Sequence, residues 1–127
     1  MKPRDLLTPL NAGRVAFGVG LLAKPQLLAG AWIGKDGRRG AVSPIARALG
    51  IRDAAIGGGT LAAMRSGQPL RPWLVAAFVS DLTDFAATAL SRRDIPASSA
   101  RMIYAVAGTA VAVGAVALAS GDDLPDA

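Results

Sequence analysis

The chain contains no cysteine and no histidine. Disulfides, thiolate nucleophiles, Cys/His zinc sites and a histidine general base are therefore excluded, and a Ser-His-Asp triad with them. Glutamate is also absent, and lysine occurs only at positions 2, 24 and 35. A water-soluble helical protein ordinarily covers its outer faces with those two residue types. That covering is missing. Aromatics make up only 5% of a chain that is 52% hydrophobic, so its apolarity comes from Ala, Leu, Val and Ile. Together with 15 glycines, this mix suits close helix packing better than a sheet sandwich. A length of 127 residues fits one domain.

The net charge is +5, mostly from arginine. A nucleic-acid binder sets aromatics among the basic residues of one face. Here the basic residues fall between apolar segments, which points to a membrane surface and away from nucleic acid. Four such segments stand out, at about 8–24, 44–64, 72–91 and 98–119. Each is roughly 17–22 residues, the length that crosses ~30 Å of hydrocarbon as a helix. Pro25, Pro44, Pro69, Pro72 and Pro96 all fall at segment ends, where proline starts or stops helices. The expectation is an all-α, four-helix transmembrane bundle in the cytoplasmic membrane. PQLLAGAWIG, after the first span, reads as a short interfacial helix, and KDGRRG as a polar turn. Residues 120–127 read as an acidic, disordered tail. Asn11 and Arg14 interrupt the apolar run that a cleaved leader would need.

Orientation follows from counting Lys and Arg. Lys24, Lys35, Arg38, Arg39, Arg92, Arg93 and Arg101 share one side, with Arg47 near it. Lys2, Arg4, Arg65 and Arg71 share the other. The first side is expected to be cytoplasmic and both termini outside. A mean hydropathy of only +0.40 and six charges within the segments, besides Lys24 and Arg101 near their ends, argue for the alternative, a water-soluble four-helix protein.

Those six charges are Arg14, Arg47, Arg52, Asp53, Asp81 and Asp84. Each costs ~2.5–3.5 kcal/mol at mid-bilayer if left alone, so they must pair, face one another, or line a wet cavity. At ~1.5 Å per residue, Arg52 lies roughly 12 Å into the second helix, and Asp84 lies at about the same level on the antiparallel third. Asp81 shares a face with Asp84, one turn further outward. Arg14 reaches that level from the outer side. ARALGIRDAAIGGGT at 46–60 and SDLTD at 80–84 thus read as two halves of an interhelical ion-pair network. One reading is that it fixes helix order, the other that it binds a polar ligand or relays a proton. Arg47 alone can snorkel to the cytoplasmic surface. Asp81 and Asp84 could hold a hard cation through their carboxylate oxygens, but the nearby arginines argue against that, and no metal or other cofactor is expected.

Gly57, Gly58 and Gly59 do not form a phosphate loop, because Thr60-Leu61 follows instead of Lys-Ser/Thr. With Ala54, Ala55, Ala62 and Ala63 they read as small-residue packing faces. Gly18, Gly20, Gly108 and Gly114 fit the same role. Trp32, Trp73 and the Arg101/Tyr104 pair read as interfacial anchors, with ligand stacking as the alternative for the tryptophans.

ARALGIRDAAIG at 46–57, with Arg14 ahead of Gly18 and the later Asp81 and Asp84, resembles a group of small four-helix integral membrane proteins. They are common in actinobacteria and carry a domain of unknown function. The Arg-then-Gly pattern of the first helix is more loosely similar to DoxX-type membrane proteins. The resemblance covers most of residues 8–120 and implies a fold and a location, but no activity. Two functions are expected from the sequence: a non-catalytic component of a membrane complex or homo-oligomer, or a binder or carrier of a small ligand or proton. An enzyme is less favoured, since Asp or Tyr104 would have to act as acid or base.

Overall fold

The computed structural model describes residues 2–121: of the tail expected at 120–127, Ser120 ends the last helix and Gly121 caps it, and 122–127 lie outside the described residues. The described chain is helical, with no strand. Five helices follow in order: α1 (Pro3–Ala23), α2 (Pro25–Ile33), α3 (Ser43–Ser66), α4 (Arg71–Leu90) and α5 (Ala97–Ser120). Two short 3-10 turns, Gly34–Arg38 and Gly40–Val42, join α2 to α3. Helix α1 starts at Pro3 rather than at 8. Proline at the first turn is preset for a helix, and the Lys2 N–H donates to the Asp5 carboxylate at 2.9 Å. The helix therefore runs through Pro9, which forfeits one backbone bond. Helices α3 and α5 end at Gly67 and Gly121, whose φ of 64° and 76° is the left-handed conformation of a helix C-terminus.

The helices pack as two antiparallel pairs, α1 with α3 and α4 with α5. Backbone meets backbone in the first pair. A Cβ on Gly18 would lie 2.5 Å from the Gly50 carbonyl oxygen, and one on Gly57 would lie 2.8 Å from that of Asn11. In the second pair rings fill glycine hollows: Phe85 lies beside Gly108 and Phe78 beside Gly114. Contact between the pairs is sparser.

The glycine run divides its work. Gly57 faces α1, and Gly59 abuts the Trp73 ring of α4. Successive helical residues turn by about 100°, so Gly57 and Gly59 serve partners on different flanks. Gly58, between them, would meet nothing within 4 Å, which corrects its expected packing role. The α3 line against α1 is instead Ala46, Gly50, Asp53 and Gly57, all buried.

Apolar clusters close both ends of the bundle. Leu7, Ala63, Leu70, Leu74 and Ala117 form one, while Leu21, Ala29 and Ala46 form the other. Helix α2 is tied over the second end. The Ser99 hydroxyl donates to the Ala31 carbonyl at 3.0 Å, and the Trp32 indole donates to the Thr88 hydroxyl at 3.4 Å. Trp32 thus turns inward, 6.3 Å from Phe17 between ring centroids. The outer faces remain apolar: Val19, Ile51, Val79, Leu82, Val106 and Val116 are all exposed. Three helices are long and apolar enough to cross a membrane: α1 from Arg4, α4 and α5. Helix α3 is long enough but carries Arg47, Arg52 and Asp53 in its first half.

The two kinds of glycine separate in a stability measurement. Gly18→Val should lower resistance to unfolding by denaturing detergent by about 1–3 kcal/mol, because it drives α1 off α3. Gly58→Ala should raise it by roughly 0.5–1 kcal/mol through helix propensity alone.

Candidate functional site

Between the two apolar ends, α1, α3 and α4 bring five charged side chains together. Arg52 and Asp53 are adjacent on α3, so their side chains diverge by about 100°. Asp53 turns into the α1 side, and Arg52 reaches across to α4. There its Nη1 and Nη2 meet Asp84 Oδ1 and Oδ2 at 3.1 and 2.7 Å, a two-pronged bridge. The same guanidinium donates through Nε and Nη2 to Asp53 Oδ1 at 3.1 and 3.0 Å. Arg14 enters from α1: its Nη2 donates to Asp81 Oδ2 at 2.5 Å, and its Nη1 lies 3.6 Å from Asp53 Oδ1. One oxygen, Asp53 Oδ1, is therefore shared by both arginines.

The side chains of Arg14, Asp53 and Asp81 are 7–9% exposed, against 29% for Arg52 and 18% for Asp84. The group thus has a buried inner trio and a more accessible outer pair. Two arginines and three aspartates give a formal charge of −1. Two inner polar atoms have no hydrogen-bond partner: the donor Arg14 Nε and the acceptor Asn11 Oδ1, three residues apart on α1. The Asn11 amide nitrogen is satisfied by the Leu7 carbonyl at 2.8 Å.

Five of the six charges singled out in the sequence meet here. Arg47 does not. It sits five residues before Arg52, about 140° around the helix, and its exposed Nε donates to the Leu22 carbonyl at 3.2 Å. Its place as a network residue is thereby corrected. Tyr104 stacks on Phe85 at 5.0 Å between ring centroids and does not line the cavity beside the network.

That cavity is what the sequence reading missed. It occupies about 410 Å³ between α1 and α5, within the size range of small-molecule sites. Arg14, Asp53, Asp81 and Asp84 form its polar floor, and Leu10, Phe17, Trp32, Ile103 and Ala107 are among its apolar walls. Pro9, Gly13, Met102 and Val106 line it from exposed positions, so its mouth opens on the apolar outer surface of α1 and α5. The sequence signal was present in part: Phe17 lies one turn from Arg14, and Trp32 stood out as an alternative stacking residue. The α1–α5 spacing has no local signature. Chemically, the floor can bind a polar head or hold a proton on a carboxylate, but it supplies no nucleophile beyond Asp. Among the described residues, no cluster of potential ligands is arranged to hold a metal ion.

Comparison with known proteins finds no matching family model, no matching curated protein and no matching solved structure.

The charge imbalance predicts an asymmetry. Arg14→Gln takes the group from −1 to −2 and strands the buried Asp81 carboxylate, at a cost of about 3–5 kcal/mol. Asp81→Asn takes it to zero, keeps a neutral partner for Arg14, and should cost only ~1–3 kcal/mol. Unfolding of the two variants in mixed micelles measures the difference, and equal losses would contradict it.

Proposed function

We propose that this is a four-helix integral protein of the cytoplasmic membrane that binds a small amphiphile in the α1–α5 cavity. The observation that carries the reading is the cavity itself, an opening in an apolar outer surface with a buried ionic floor. A ligand with an apolar body can reach such a mouth from within the bilayer and present its polar end to the floor. Buried ionisable groups in membrane-spanning segments cluster at ligand and proton pathways.

Inclusion of α3 as the fourth span rests on packing. It lies along α1 from Gly50 to Gly57, and its 24 residues reach about 36 Å. Arg52 and Asp53 are met by α1 and α4, Ile51 and Ala55 face outward, and the exposed Arg47 lies one turn from the start of the helix, within snorkelling reach of the surface. The side with Lys35, Arg38, Arg39, Arg92 and Arg93 is read as cytoplasmic by the excess of basic residues, with both termini outside. Kinship with the actinobacterial four-helix group is a proposal on the same footing, carried by ARALGIRDAAIG.

A second reading, a non-catalytic component of a membrane complex or homo-oligomer, is favoured by one feature. The outer face of α3 carries small residues at Ala48, Ala55, Gly58 and Ala62 around the exposed Ile51, and small residues favour helix–helix contacts in lipid.

Membranes washed at high pH should retain the protein, and release into the wash would contradict the membrane reading. Native mass spectrometry of protein extracted from those membranes should detect a bound small molecule. Ala107→Trp, which fills the cavity and leaves the ion pairs alone, should remove it. The architectural reading expects no such species, and expects the Arg52→Gln/Asp84→Asn double variant to recover abundance and cell phenotype together.

A further inference from the structure

The polar groups of the cavity are not balanced. Arg14 and Arg52 supply two positive charges, and Asp53, Asp81 and Asp84 supply three negative ones. Of these, Arg14 and the three carboxylates line the cavity, and Arg52 does not. Arg47, the nearest further arginine along α3, is turned away onto the Leu22 carbonyl. An excess charge in a low-dielectric site is costly unless a proton or another charge of opposite sign completes it. The neighbouring hydroxyls do not help. Thr83 donates to the Val79 carbonyl, Thr88 to that of Asp84 and Thr60 to that of Ile56, so none of the three serves a carboxylate.

The walls say what kind of charge fits. Phe17 and Trp32 lie side by side on the lining, and aromatic faces attract cations. Leu10, Met102, Ile103 and Val106 extend the apolar surface to the mouth, which suits an organic body and not a hydrated metal ion.

We propose that the cavity takes a small organic monocation with an apolar body, a hydrophobic ammonium or phosphonium, whose charge lies against the floor at Asp81 and Asp84 and whose body lies among Phe17, Trp32 and Met102. This rests on the reading of the cavity as a ligand site and adds the sign of the ligand's charge. The bound cation brings the site to neutrality, and Arg14 and Arg52 hold the three carboxylates in place for it.

The test compares two probes of the same shape and opposite charge on the full chain in lipid nanodiscs. Binding of tetraphenylphosphonium and of tetraphenylborate is measured by equilibrium dialysis, each corrected for protein-free discs. The expected result is saturable binding of the phosphonium at one site, about tenfold or more tighter than the borate. Asp81→Asn should weaken phosphonium binding by about tenfold or more. Val106→Trp, which narrows the mouth without touching an ion pair, should abolish it. Helical content and size-exclusion behaviour identify any variant that has not folded, and Val106→Trp then carries the test alone. Saturable borate binding that Val106→Trp removes, without phosphonium binding, would overturn the cationic assignment and leave the ligand cavity standing. Phosphonium binding unchanged by a folded Asp81→Asn would also overturn it. No saturable binding of either probe, or binding indifferent to Val106→Trp, would overturn both.

Discussion

Asp53 Oδ1 accepts from Arg52 and lies within ion-pair distance of Arg14, and through those two guanidiniums α3 is joined to Asp81 and Asp84 on α4. The two helix pairs touch only sparsely elsewhere, so these bridges are the main polar tie between them. They also set the spacing. Glycine lets α1 and α3 meet backbone to backbone, whereas an arginine reaching an aspartate spans a long side chain and holds its helices further apart. On the α1–α5 side no such bridge and no glycine contact closes the gap, and the cavity lies there. The cavity lies where neither long ion pairs nor glycine contacts join the helices.

The ends of the bundle make those ion pairs consequential. Leu7, Leu70 and Leu74 close one end, and Leu21 with Ala29 the other, so the inner trio sits in an apolar setting at 7–9% exposure. Ion pairs that lose water this way often contribute little net stability, because desolvation offsets the attraction. What they do is forbid alternatives. A register slip of α4 by one turn would move one aspartate into the other's place and leave either Arg14 or Arg52 without a carboxylate on α4. Geometric specification and ligand recognition are therefore compatible here: the contacts that fix α4 also leave carboxylates along the cavity floor.

Much of this was legible in the sequence because few residues can bear it. With no Glu and no His, only six charges besides Lys24 and Arg101 near the segment ends lie inside the apolar segments, and helical rise alone put Arg52 opposite Asp84 and Arg14 near Asp81. Proline positions placed the helix ends to within a few residues, except at α1, where Pro9 lies inside the helix. Other features depend on how helices rotate and lean, which no local pattern records. Gly58 shares its neighbours' identity but not their partners, since each successive residue faces a different flank. Arg47 lies in the same helix as Arg52 yet on another side of it. Trp32 reads as an interfacial anchor from its position near a segment end, but α2 folds back over the bundle and turns it toward Phe17. The cavity needs residues of α1 and α5 that are separated by most of the chain.

Arginine is the reason an anionic surplus can persist at this depth. A lysine in place of Arg52 would offer a point charge and satisfy one carboxylate at a time. The planar guanidinium instead engages both oxygens of Asp84 and one of Asp53 at once, so two carboxylates are held by one cation. Arg14 repeats the arrangement in weaker form, with Asp81 close and Asp53 at 3.6 Å. Each arginine thus shares its charge, and the sharing leaves three acids ordered on two bases. The orphaned Arg14 Nε and Asn11 Oδ1 belong to the same compromise: Arg14 is aimed at carboxylates across the bundle, and its own helix neighbour goes unserved. A site built only to lock helices together would be better served by equal numbers of acids and bases. Asp53 instead joins the two arginines to one another, and the formal surplus it leaves gives the cavity floor its sign.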